Sequence, residues 1–153
     1  MVTEASAYTQ LSALCARAEH CSHEMMEKMR RWDMPDDARK RVLERLVAER
    51  FVDDERYARA FVNDKVRYNK WGRRKVEQAL WQKGIAEDIR CRVLDEVDDE
   101  DYLAVLRPLL EQKRRSLTAA TSYETYGRLM RFAMQRGFTP DLVVRVLGEE
   151  GEE

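Results

Sequence analysis

Proline and glycine are scarce in this chain, at three and six of 153 residues. Both interrupt helices, so their scarcity favours extensive helix. Cysteine is as scarce as proline. The three, Cys15, Cys21 and Cys91, are odd in number and lack CxxC spacing. That removes a disulfide scaffold and suits a reduced compartment, so a cytoplasmic protein is expected. No apolar run reaches the length of a membrane span, and the N-terminus lacks the basic start and apolar stretch of a secretory signal. No membrane partner is therefore expected. A GxxxxGK[ST] phosphate loop is absent, and no Ser, Cys or Lys has the surroundings of an activated nucleophile. The expectation is a non-enzyme with no catalytic residue and no cofactor.

What the chain has in quantity is charge and amphipathic pattern. The charged fraction is 37%, the hydrophobic fraction 44%, and the net charge −1. A uniformly basic nucleic-acid binder is excluded, but a local basic face is not. Such a face is present. From Lys65 to Lys83 seven cations (Lys65, Arg67, Lys70, Arg73, Arg74, Lys75, Lys83) stand against Glu77 alone. Gly72 is read as the breaker of the preceding helix, because glycine tolerates backbone angles other residues avoid. Val76, Ala79 and Leu80 then give a helix its apolar face. Arg73, Arg74 and Lys75 crowd its first turn, the end that disfavours cations, which suggests an anionic partner from outside.

In chain order, residues up to about Ala7 are read as frayed, followed by a helix from Tyr8 to Glu19. Ser22 is read as an N-cap for a helix carrying Met25, Met26, Met29 and Trp32. Pro35, Asp36 and Asp37 start a third helix with Val42, Leu43 and Leu46. Asp53 or Asp54 caps a fourth, lined by Tyr57, Ala58, Phe61 and Val62. After Gly84 a helix carries Ile89, Val93 and Leu94. The next carries Tyr102, Leu106 and Leu110, with Pro108 expected to kink or shorten it. Ser116 to Ser122 reads as a loop. The last helices carry Leu129 and Phe132, then Val143 and Val146, and the acidic tail from Glu149 is expected to be disordered.

An internal repeat runs through this pattern. Trp81-Gln82-Lys83-Gly84-Ile85 matches Met134-Gln135-Arg136-Gly137-Phe138 at an offset of 53, with Asp33 standing where the two glycines stand. The expectation is an all-α chain of about nine helices in three tandem three-helix repeats, helix-turn-helix-like, at 1–52, 53–98 and 99–153.

Other clusters have plainer readings. Cys15, His20, Cys21 and His23 fit no zinc-ligand spacing, and no metal is expected. The runs Asp53-Asp54-Glu55 and Asp98 to Asp101 suit helix starts. Trp81, beside Leu80, is assigned to the core, and Trp71, in the turn, to a contact. Arg128, Arg131 and Arg136 could form a ridge. The candidate binding residues are Lys70, Trp71, Arg73, Arg74, Lys75, Lys83, Arg128, Arg131 and Arg136, against the alternative of a merely solvated basic face.

Phe51-Val52-Asp53-Asp54-Glu55-Arg56-Tyr57-Ala58-Arg59-Ala60-Phe61-Val62, with Trp71-Gly72-Arg73-Arg74-Lys75-Val76 and Leu80-Trp81-Gln82-Lys83-Gly84-Ile85, closely resembles the RecX family of RecA regulators. The resemblance implies an elongated, curved array and a partner, the RecA nucleoprotein filament, whose groove such proteins occupy. It further implies inhibition of ATP hydrolysis, strand exchange and filament growth. Direct binding to single- or double-stranded DNA is left open, and a monomer is expected. The other classes are a stand-alone nucleic-acid module and a helical-repeat adaptor for another protein.

Overall fold

Apolar side chains recur every three or four residues along most of the chain, and that period dictates helix. The structure, a computed structural model, describes residues 1–118 and 121–151. Among the described residues there are nine helices and no strand: α1 (Glu4–Arg17), α2 (Ser22–Arg31), α3 (Asp36–Ala48), α4 (Asp54–Arg67), α5 (Arg73–Gln82), α6 (Glu87–Asp95), α7 (Asp99–Ser116), α8 (Ser122–Gln135) and α9 (Pro140–Gly151).

By packing, the chain divides into two units: Met1–Phe61 with Leu80–Arg90, and Val62–Ala79 with Cys91–Glu153. In the first, α3 packs on α1 and α2. Its core is formed by Ala7, Leu11, Met25, Met29, Val42 and Leu46, with Tyr8 and Phe51 meeting edge-to-face at its border. In the second, α7, α8 and α9 pack pairwise. Tyr102, Leu106, Leu129, Phe138, Val143 and Val146 are buried there.

The repeat is visible in hydrogen bonds. The helices α2, α5 and α8 end alike, with a residue at positive φ: Asp33 (57°), Gly84 (73°) and Gly137 (93°). Their amides donate to Arg30, Trp81 and Met134 carbonyls at 3.0 Å. The following amides, of Met34, Ile85 and Phe138, reach back to Met29, Leu80 and Ala133 at 3.3, 3.1 and 3.1 Å. This double closure satisfies carbonyls a helix end leaves open, and the next side chain turns inward. Met34, Ile85 and Phe138 are all buried.

Several local expectations are corrected. The start is not frayed: α1 begins at Glu4, because Thr3 and Ser6 exchange side-chain-to-amide hydrogen bonds. Ser22 is not an N-cap. Cys21 holds that position without accepting a capping bond on its side chain, and the Ser22 amide is taken by Asp54 Oδ1 at 2.7 Å. Pro108 does not shorten its helix, since α7 runs through it for 18 residues. Pro108 and Ala104, whose carbonyl loses its amide partner, both lie on the exposed face, where the carbonyl is open to solvent. The tail is helical to Gly151, and the Glu149 carboxylate is held by Arg107 at 3.0 and 3.1 Å. Glu152 and Glu153, and Ala119 and Ala120 of the expected loop, lie outside the described residues.

A candidate binding surface at the Gly72–Gly137 junction

The basic stretch acquires its geometry from the turn that precedes α5. Lys70, at φ 59°, makes the left-handed step that leaves α4. The Trp71 amide then donates to the Lys65 carbonyl at 3.1 Å. Gly72 is not among the residues at positive φ, so the reading of Gly72 as the helix breaker is corrected. Glycine is required there for space. A Cβ on Gly72 would lie 2.3 Å from the Phe138 amide nitrogen and 2.4 Å from the Gly137 carbonyl carbon.

This contact joins two backbones. The Gly72 amide donates to the Arg136 carbonyl at 2.8 Å, and the Arg74 amide donates to the Gly137 carbonyl at 3.0 Å. The carbonyl end of α8 thus meets the amide end of α5, and opposite partial charges face each other. That supplies from within the protein some of the negative charge that the first turn of α5 attracts. A second glycine completes the approach: a Cβ on Gly137 would meet Lys75 Cβ at 2.4 Å.

The same joint recurs in the first unit. There the α2 start meets the Gly84 turn: a Cβ on Gly84 would lie 2.9 Å from His23 Cβ. The Cys21 thiol donates to the Lys83 carbonyl at 3.4 Å. Burial pushes that thiol up to about 11. His20 Nδ1 and Glu24 Oε2 are 3.0 Å apart, and Cys15 Sγ lies against Met25 Sδ at 3.8 Å. These four Cys and His side chains thus have packing and hydrogen-bonding work, His23 by its closeness to Gly84. Asp53 Oδ1 accepts from the Arg56 amide at 3.0 Å, and Asp101 Oδ2 from the Asp98 amide at 3.2 Å, so both acidic runs serve helix starts.

The joint brings Arg74 and Lys75 of α5 beside Arg136. Arg136, at the end of α8, lies with its guanidinium 5.0 Å from the centre of the Phe132 ring, and Lys113 Nζ lies 5.1 Å from the same ring. Trp71 likewise holds Lys75 Nζ at 4.7 Å and Lys65 Nζ at 5.2 Å. A ring face attracts a cation through its quadrupole, so each ring holds two heads in place. Arg128 and Arg131 are exposed on α8. Among the described residues no carboxylate lies within 4.0 Å of Lys70, Arg74, Lys75, Lys113, Arg128, Arg131 or Arg136.

Other cations are committed. Arg73 donates to Asp95 at 2.6 Å, so the expectation that the α5 start gains nothing from its cations does not hold for this residue. Burial works against the Arg73 charge, but Asp95 outweighs it and the guanidinium is held above its usual value. Arg107 pairs with Glu149 and Arg145 with Glu100 at 2.9 Å. Lys83 belongs to the first unit, where its charge acts on Glu24.

The assignment of Trp81 to the core is corrected. Trp81 is 65% exposed, because α5 turns Val76 and Leu80 inward and leaves residue 81 on the outer face. Trp71 is half-buried beneath its lysines. Lys113 and Phe132 were outside the candidate set. No local spacing links Lys113 to Arg136; only the packing of α7 on α8 does.

Comparison with known proteins finds relatives of this chain. The family model described as the second three-helix domain of RecX matches residues 53–94, and the third three-helix domain matches residues 99–147. The chain is 32% identical over 120 residues to the regulatory protein RecX of Clostridium perfringens (strain SM101 / Type A), covering 77% of this chain and 56% of that one. It is 27% identical to that of Geobacillus kaustophilus, over 95% of this chain and 54% of the relative. It is 32% identical to that of Halorhodospira halophila, over 85% of this chain and 79% of the relative. The chain thus spans about half the length of the first two relatives. A crystal structure of RecX from Lactobacillus salivarius superposes with a TM-score of 0.90 over 95% of both chains at 17% identity, a likeness of fold.

Proposed function

This chain belongs to the RecX family of regulatory proteins, and from that premise we propose that it binds the RecA nucleoprotein filament and inhibits it. Binding in the filament groove and bridging protomers would slow ATP hydrolysis, strand exchange and filament growth. Such an action needs no catalytic residue. The single observation that most supports it is the set of second-unit cations with no carboxylate within 4.0 Å among the described residues, of which Arg74, Lys75 and Arg136 meet at the Gly72–Gly137 joint. A nucleoprotein filament is an anionic partner, and unpaired cations are attracted to one most strongly at low salt.

The test is recombinase ATPase on single-stranded DNA, titrated with the full chain. Turnover falling with added chain supports the proposal. Unchanged turnover at saturating chain, with the recombinase shown to be on the DNA, overturns it. The informative variant is R74A/R128A/R131A, which leaves the Arg73–Asp95 pair and the backbone joint intact. Its inhibition should weaken, and more so at low salt.

A further inference from the structure

The helix α8 carries two apolar rows. Leu129 and Ala133 are fully buried and belong to its packing on α7 and α9. A second row, Tyr123, Tyr126, Met130 and Met134, advances in steps of three, four and four residues, the spacing of a coiled-coil seam. At about 100° per residue, Met130 and Met134 lie roughly 160° around the helix from Phe132, away from the basic joint. Tyr123 is 88% exposed, Tyr126 44% and Met134 42%. Large apolar side chains gathered in water on one helix face mark a docking surface. Midway along the row stands Gly127. A Cβ there would have one neighbour within 4 Å, the Arg131 guanidinium at 3.8 Å. Nothing among the described residues thus requires a glycine, although glycine weakens a helix. What it leaves is a flat place where a second backbone can approach.

The edge of this row carries opposite charges. Glu124 and Arg131 are two turns apart and share that edge, but about 10 Å along the axis keeps them from pairing with each other. Among the described residues neither has an opposite charge within 4.0 Å. Turned end for end, the row is its own complement. With a two-fold axis at its midpoint, Tyr123 and Tyr126 of one copy face Met134 and Met130 of the other, and a thioether against an aromatic ring is favourable. Glu124 then lies about 3 Å along the axis from the partner's Arg131, and the symmetry makes that pair twice.

We propose that α8 pairs antiparallel with α8 of a second copy of this chain, through Tyr123, Tyr126, Met130 and Met134, with Glu124 and Arg131 setting the orientation. One helix face of about 16 Å buries less than the roughly 1,200 Å² of a stable dimer, so the pair is weak and reversible. This inference is independent of the filament reading.

The experiment is sedimentation equilibrium of the full chain in a series from about 5 to 500 μM, the range of a transient interface. The mean mass should rise toward twice that of the monomer. Glu124→Arg and Arg131→Glu should each weaken association at least about fivefold, since each sets like charges opposite one another. Both positions are exposed, so thermal melting should not fall. The double variant E124R/R131E should recover most of the loss, which a merely sticky surface would not show. Gly127→Gln should weaken association by filling the flat place, again without lowering the melting temperature. A monomer mass throughout the series overturns the proposal. So does a double variant no better than the single ones, or association that Gly127→Gln leaves unchanged. A chain that stays monomeric, and whose inhibition of the recombinase is lost on Tyr123→Glu or Met134→Glu, gives the row to that partner and overturns the pairing.

Discussion

The amide of Gly72 and the carbonyl of Arg136 are bonded at 2.8 Å across 64 residues of sequence, counted from position 72 to position 136. That bond sets the start of α5 on the end of α8 and brings two basic segments to one place. In sequence they are separate clusters.

Gly72→Ala should therefore be costly although Gly72 is not at positive φ. Its Cβ would meet three backbone atoms within 2.4 Å, and backbone cannot swing aside like a side chain. A loss of at least about 2 kcal/mol is expected from such overpacking. Urea unfolding of the variant checks it. A midpoint equal to that of the wild type would mean the joint does not form.

The positive-φ turns should respond by context and not by residue type alone. Asp33→Gly should change stability by less than about 1 kcal/mol, since relief of the left-handed strain is offset by a freer unfolded chain. Gly84→Ala should cost more, at least about 1.5 kcal/mol, because the strain comes with a contact to His23. Equal effects in thermal melts of the two variants would show that the neighbour is irrelevant.

Leu80 and its neighbour Trp81 should separate sharply. Leu80 is fully buried, so Leu80→Ala should cost about 2–5 kcal/mol. Trp81 is 65% exposed, and Trp81→Ala should stay within about 0.5 kcal/mol. A large loss on removing Trp81 would restore the core assignment made from sequence.

Glu24 should link stability to pH. Burial opposes its charge, but hydrogen bonds with His20 and Cys21 and the Lys83 charge hold its carboxyl below the ordinary value of 4.5. A carboxylate whose folded pKa is depressed stabilises the fold fully above its unfolded pKa. That contribution is lost as pH falls through the folded pKa. Urea midpoints measured from neutral pH down through the carboxylate range should fall more steeply for the wild type than for Glu24→Gln. Parallel curves would remove Glu24 from the acid response.

Much of this protein was legible in one dimension. The helix count, the buried stripes and the three-fold repeat follow from periodicity, and periodicity is a property of neighbours three or four apart. The turn at Gly137 was legible for the same reason, since its closing bonds span five residues or fewer. The frayed start was misread because the Thr3–Ser6 cap is a weak signal in a polar stretch.

The sequence by itself determined an all-helical chain with a basic centre, because helix propensity, amphipathic period and local charge are additive along the strand. Only the tertiary structure decided which cations share a surface. Arg73 is spent on Asp95, Lys113 joins Arg136 over Phe132, and Trp71 lies under its lysines while Trp81 faces out. Each of these depends on a contact between residues distant in sequence or on which side of a helix finds a neighbour. The physical hinge is the pair of glycines at the joint. Their missing Cβ atoms let two backbones meet, and no pattern along the chain states which two backbones those will be.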